Sequence, residues 1–88
     1  MGLDPERAYR LHARVALRPE PFGALAYHYG NRRLTFLKSP ELVELVRDLD
    51  RHDSVSAALA AHDVGELRRR AYLRALATLE ASEVIGAR

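Results

Sequence analysis

From residue 14 to residue 38 the apolar positions alternate with a period of two. From residue 39 onward they recur every three or four. That switch predicts strands followed by helices. Residues 14–18 read R-V-A-L-R, with Val15 and Leu17 sharing one side of a short, half-exposed strand. Pro19-Glu20-Pro21 is expected to end it. In residues 22–29, Leu25, Tyr27 and Tyr29 share one parity and Ala24, Ala26 and His28 the other, the best strand pattern in the chain. His28 reads here as a strand-surface residue. Gly30-Asn31 supports a turn because both residues tolerate positive φ. Residues 33–38 then resume as the second arm of a hairpin, with Leu34 and Phe36 facing one way and Arg33, Thr35 and Leu37 the other.

Ser39-Pro40-Glu41 begins a helix: a hydroxyl to cap, a proline suited to the first helical position, and an acid at the positive end of the dipole. Leu42, Val43, Leu45, Val46 and Leu49 give it a broad apolar face, ending near Arg51-His52. Ser54 or Ser56 caps a short alanine-rich helix closed by His62-Asp63-Val64-Gly65. A third helix is expected over residues 66–83, with Leu67, Leu73, Leu76, Leu79 and Val84 as its core stripe and Arg68, Arg69, Arg70 and Arg74 as a basic surface. The predicted order is β-β-β-α-α-α, an α+β domain over residues 13–85. Residues 1–12 are read as an N-terminal arm on which Tyr9 and Leu11 could dock, and residues 86–88 as a frayed end.

An antiparallel sheet of three strands leaves edges exposed, and an open edge accepts a further strand. The candidate groove pairs the last strand with the third helix. Arg33, Thr35 and Leu37 lie on one side, with Arg69, Tyr72, Leu73 and Leu76 facing them. The same edge could pair with another copy of the chain, so a homodimer in exchange with monomer is a second expectation.

Composition narrows the chemistry. The chain has 88 residues and no cysteine, which excludes disulfide scaffolds, cysteine metal sites and thiol catalysis. An intracellular, cytoplasmic location fits. No run approaches the roughly 20 apolar residues of a membrane span, and no apolar signal core opens the chain. Arginine supplies 13 of the 14 basic residues. Residues 1–40 are net +4, residues 41–65 net −4 and residues 66–88 net +2, so the overall +2 hides two basic segments around an acidic one. That pattern suits an acidic partner, peptide or nucleic acid. A small winged-helix nucleic-acid-binding protein is the alternative reading. The low net charge and strands that precede the helices count against it. His12, His28, His52 and His62 are scattered, without metal-ligand spacing, and His52 reads as solvated or capping. No phosphate loop, dinucleotide fingerprint or zinc-protease motif is present. No enzyme active site is expected, and no cofactor.

The string Tyr27-His28-Tyr29-Gly30-Asn31-Arg32-Arg33-Leu34, continuing to Phe36-Leu37-Lys38-Ser39-Pro40, resembles the mycofactocin peptide chaperone family, MftB. Arg14-Val15-Ala16-Leu17-Arg18-Pro19-Glu20 and Tyr72-Leu73-Arg74-Ala75-Leu76 are similar to it as well. The resemblance covers about residues 9–85. It implies a winged-helix-like, noncatalytic adaptor of the PqqD-like peptide-recognition type. Such an adaptor would bind the leader of the precursor peptide MftA and present its core to the radical S-adenosylmethionine maturase MftC, which acts at the precursor's terminal Val-Tyr. Iron–sulfur clusters and S-adenosylmethionine would belong to the maturase. In that family the leader lies as an added strand between the third strand and third helix. Carried over, this points to Arg33, Leu34, Thr35, Phe36 and Leu37, facing Arg69, Tyr72, Leu73 and Leu76. Ala26 is smaller than the bulky aliphatic expected in the family hairpin, which bears on the packing beside the groove.

Overall fold

A computed structural model describes residues 3–88. Strands β1 (Tyr9–Leu11), β2 (Val15–Glu20), β3 (Gly23–His28) and β4 (Leu34–Leu37) precede helices α1 (Pro40–Asp48), α2 (Val55–Ala61) and α3 (Glu66–Ala81), and β5 (Ile85–Ala87) follows. Strands β2, β3 and β4 form an antiparallel sheet in that order, while β1 and β5 pair as a separate ribbon. The result is the expected α+β, winged-helix-like arrangement, with the β1–β5 ribbon as a small wing.

The parity read from the hairpin holds. Ala24, Ala26 and Leu37 are buried, while Leu34 and Phe36 are exposed on the opposite face. Two alanines on β3 present a thin surface to the helices, and Val43, Val46 and Leu76 join them in one buried core. Each fully buried leucine contributes about 1.5–3 kcal/mol relative to exposure. Helix α1 begins as its sequence dictates: the Ser39 side chain accepts a hydrogen bond from the Leu42 N–H at 3.2 Å, and Pro40 opens the first turn.

Several details depart from the sequence reading, each for a physical reason. Residues 9–11 and 85–87 are neither loose nor frayed, because Tyr9 stands opposite Ala87 and Leu11 opposite Ile85. Tyr9 and Ile85 are buried in the core, and apolar burial at both ends holds the ribbon. Leu67 is fully exposed rather than in the core stripe. It lies nine residues, two and a half helical turns, before buried Leu76 and so faces the opposite way. Val84 is buried, but beyond the helix.

Pro19 does not end β2, which runs on to Glu20. The Tyr29 N–H donates to the Arg14 carbonyl at 2.8 Å, which sets the phase of the β2–β3 ladder. By alternation the bonded pairs are Ala16–Tyr27, Arg18–Leu25 and Glu20–Gly23, so the missing N–H of Pro19 falls on the outer edge.

The β3–β4 turn also works differently. Its positive φ belongs to Arg32, at 63°, not to Gly30 or Asn31. Gly30 is needed for proximity, since a Cβ there would meet the His28 ring at 2.7 Å. His28 is buried, not a surface residue. Its Nδ1 accepts from the Gly30 N–H at 2.9 Å and the Asn31 N–H at 3.1 Å, so the ring ties the hairpin turn together. With Nδ1 an acceptor, the ring proton sits on Nε2, which points toward the Glu83 carboxylate at 4.0 Å.

Gly23 starts β3 at φ 150°, and a Cβ there would collide with the Leu37 carbonyl oxygen and the Ser39 nitrogen. Gly23→Ala should therefore cost about 2 kcal/mol or more by displacing the junction of β4 with α1. Urea denaturation measures the loss, and an unchanged midpoint would refute this role.

Candidate peptide-binding site

The two outer edges of the sheet differ in what they offer. At β4, the His28 N–H donates to the Arg33 carbonyl at 3.0 Å, and this fixes the phase of the β3–β4 ladder. The bonded pairs then fall at Ala26–Thr35 and Ala24–Leu37. Leu34 and Phe36 consequently aim their N–H and C=O groups away from β3, to the side where, among the described residues, the sheet has no further strand. At β2 the outward residues are Val15, Leu17 and Pro19. The Val15 N–H already donates to the His12 carbonyl at 3.0 Å, and Pro19 has none to give. One edge is blunted and the other is free.

Helix α3 follows the free edge. Near its start, Tyr72, Ala71 and Ala75 enclose an apolar hollow with Ser39 and Leu42, just past the end of β4. Near its end, the Asn31 side chain donates to the Ser82 carbonyl at 3.4 Å, bringing the β3–β4 turn to the last turn of the helix. The helix therefore runs opposite in direction to β4. Ala71, Ala75, Thr78 and Ser82 repeat at helical spacing on one stripe of short side chains. Tyr72 stands at the rim, its hydroxyl donating to Glu41 Oε1 at 3.4 Å. The Arg68 guanidinium lies 5.5 Å from the centroid of its ring and 3.3 Å from the same Glu41 oxygen.

The sequence-predicted residues divide accordingly. Thr35 is half-buried on the helix-covered face, and Leu37 and Leu76 are wholly buried, so these two shape the floor and expose no side chain. The side chains of Leu34 and Phe36, 61% and 57% exposed, lie on the outer face, with the Phe36 and Phe22 rings 5.8 Å apart. What these two bring to the edge is backbone. The Arg33 amide is occupied by the Asn31 side-chain oxygen at 2.9 Å. Arg69 turns away: it donates to Ser56 Oγ at 2.9 Å, and Ser56 donates to Glu6 at 2.9 Å, which ties α3 to α2 and the N-terminal segment. Leu73 shares that side of the helix, beside Glu66, Arg69 and Arg70. Ser39, Leu42, Ala71 and Ala75 were missed. The spacing of the small residues on α3 was the available signal for the last two.

A further cluster joins residues that sequence spacing kept apart. His52 Nε2 and His62 Nε2 each lie 2.9 Å from the same Asp48 oxygen, Oδ2, and Arg51 approaches Oδ1 at 3.6 Å. Among the described residues, no helix is long and apolar enough to cross a membrane.

The sheet, its β1–β5 wing and the helices beside it define a winged-helix-like α+β domain. The family model of the peptide chaperone MftB family matches residues 8–86. Peptide chaperone MftB of Mycobacterium ulcerans (strain Agy99) is 48% identical over 84 residues, covering 96% of this chain and 77% of that protein. The protein of the same name in Mycolicibacterium smegmatis (strain ATCC 700084 / mc(2)155) is 46% identical over 82 residues, covering 93% and 80%. That of Mycobacterium tuberculosis (strain ATCC 25618 / H37Rv) is 42% identical over 82 residues, covering 93% and 75%. No solved structure gives a significant match. The chain belongs to the MftB peptide chaperone family, and its role is that of a noncatalytic peptide chaperone.

The imidazole hydrogen bonds from His52, and then from His62, hold the Asp48 carboxyl below the usual carboxylate range. A depressed folded-state pKa contributes stability above the unfolded value, about 3.9, and that stability is lost as pH falls through the folded value. Asp48→Asn should therefore be less stable than the parent chain at pH 5, with the gap closing as pH is lowered toward 2. Urea midpoints across that range measure it, and a gap independent of pH would contradict the ionised role.

Proposed function

We propose that this chain binds the leader of the mycofactocin precursor peptide, MftA, as a strand added to β4, and presents the peptide's C-terminal core to the radical S-adenosylmethionine maturase, MftC. The observation that carries the reading is the contrast between the edges. Among the described residues the outward amides of Leu34 and Phe36 meet no partner strand, whereas on the β2 edge Pro19 has no N–H and that of Val15 is taken by His12, which leaves Leu17 alone. Strand addition draws affinity from main-chain hydrogen bonds and selectivity from side-chain pockets. Here the outward groups of β4 supply the bonds, and the apolar hollow at Leu42, Tyr72 and Ala75 supplies a pocket for an apolar leader side chain. Family membership supports the choice of partners. Leu37 and Leu76 then act as the floor and Arg33 as a flank, with Thr35 and Tyr72 as the side chains nearest the added strand, while Arg69 and Leu73 lie on the far side of α3.

Phe36 separates backbone from side-chain effects. Phe36→Pro removes one outward N–H without touching the β3 ladder, a substitution an edge strand tolerates. Phe36→Ala keeps that N–H. The proline variant should stay folded by circular dichroism and lose about tenfold or more in affinity for MftA leader peptide, at about 0.5–1.5 kcal/mol per net hydrogen bond plus the local distortion. The alanine variant should bind within a few-fold of the parent. Equal binding by the proline variant would sink strand addition at β4, as would leader-induced amide shifts confined to residues far from 33–37 and 66–77.

The same edge is open to a second copy when no leader is present. Sedimentation across concentrations should show self-association that leader peptide reverses. A concentration-independent monomer with and without leader would exclude it.

A further inference from the structure

We propose that Asp48, His52 and His62 form a binding site for a divalent first-row transition-metal ion of the zinc class, built from residues other than those proposed to hold the peptide. The three side chains come from three segments. Asp48 closes α1, His52 follows the 3-10 turn Leu49–Arg51 four residues later, and His62 caps the end of α2. One donor atom from each lies within 4.8 Å of the others.

The spacing suits a metal. Around an ion with bonds of about 2.0–2.2 Å, neighbouring oxygen and nitrogen ligands stand roughly 2.9 Å apart at a right angle and about 3.4 Å apart at a tetrahedral one. Both observed Asp48 Oδ2 to Nε2 distances are 2.9 Å. For these two pairs a movement of a few tenths of an ångström covers either geometry. The two rings meet nearly edge to face, at 73°, so their Nε2 atoms converge on the carboxylate from different directions. Two imidazoles with one carboxylate favour zinc, iron, nickel or copper over calcium or magnesium. In the metal-bound form each imidazole carries its ring proton on Nδ1 rather than Nε2.

The surroundings hold the ligands in place and leave the ion accessible. The His52 N–H donates to the Leu49 carbonyl at 3.2 Å, and its own carbonyl accepts from Arg88 at 3.1 Å. The His62 N–H donates to the Ala58 carbonyl at 3.1 Å. Arg51 faces Oδ1 and leaves Oδ2 to the histidines. Beside Asp48 and His62 lies an open cavity of about 550 Å³, also lined by Glu44, Arg47 and Arg51. Water can complete the coordination shell there, while Glu44 and Asp48 balance the two guanidiniums. A bound ion would link the end of α1, the 3-10 turn and α2 through one centre.

Titration of the full chain with Zn(II), read by calorimetry and thermal unfolding, tests the site. Co(II) serves as an optical probe. One equivalent of Zn(II) should bind and raise Tm, and Co(II) should show the visible bands of an imidazole-ligated ion. His52→Gln and His62→Gln should each weaken Zn(II) binding by more than the roughly 10–100-fold that loss of an outer hydrogen bond costs. Should either variant fail to fold, the histidine ring nitrogen shifts of the parent chain on adding Zn(II) locate the ion. Absence of stoichiometric binding overturns the proposal and leaves a hydrogen-bonded ion cluster only. Parent-like affinity in both variants overturns it too, as do shifts instead at the His12 and His28 rings, which lie 4.4 Å from each other. Leader binding uses different residues, so it stands or falls separately.

Discussion

The phase of one hydrogen-bond ladder governs the rest of this molecule. The bond from the His28 amide to the Arg33 carbonyl decides which backbone groups of β4 are consumed by β3 and which remain. A shift of one residue would turn Leu34 and Phe36 inward and bring Leu37 out of the core. That phase is held at both ends. At the turn, the His28 imidazole accepts two amides, and Gly30 must be glycine for the ring to sit so close. At the other end, Gly23 lets β3 pass against the Leu37 carbonyl just before Ser39 caps α1. The small alanines of β3 then allow α1 to settle on the sheet, and the position of α3 follows.

Much of this was written in local pattern. The parity of Ala24, Ala26 and Leu37 against Leu34 and Phe36 follows from period two alone, and Ser39-Pro40 announces its helix by chemistry confined to four residues. What was not legible depends on contacts distant along the chain. Strands of three residues, as at Tyr9–Leu11 and Ile85–Ala87, are too short to show a period, and each exists because the other is beside it. His28 looked like a surface residue because its parity partners are alanines, which give little sign of burial. Asp48, His52 and His62 converge only once α2 folds back on α1.

The candidate groove was legible as a region and less so as residues. The residues read from the sequence lie on β4 and α3, but Leu37 and Leu76 are core, and Arg69 is engaged with Ser56. The edge offers backbone, and backbone availability depends on ladder phase, which side-chain identity alone does not reveal. Alanines on α3 are the complementary feature: residues with little to contribute by contact matter here by leaving space.

The blunted β2 edge sets the valence of the sheet. A sheet open on both sides can be extended without limit, copy upon copy. With Pro19 and the occupied Val15 amide on one side, β2 offers an added strand the Leu17 amide alone, whereas β4 offers those of Leu34 and Phe36. Pairing between two copies through β4 would use up both open edges in a closed two-fold pair, and growth would stop there. Under the proposed strand addition at β4, the same chemistry stops at a single partner instead of propagating into a polymer.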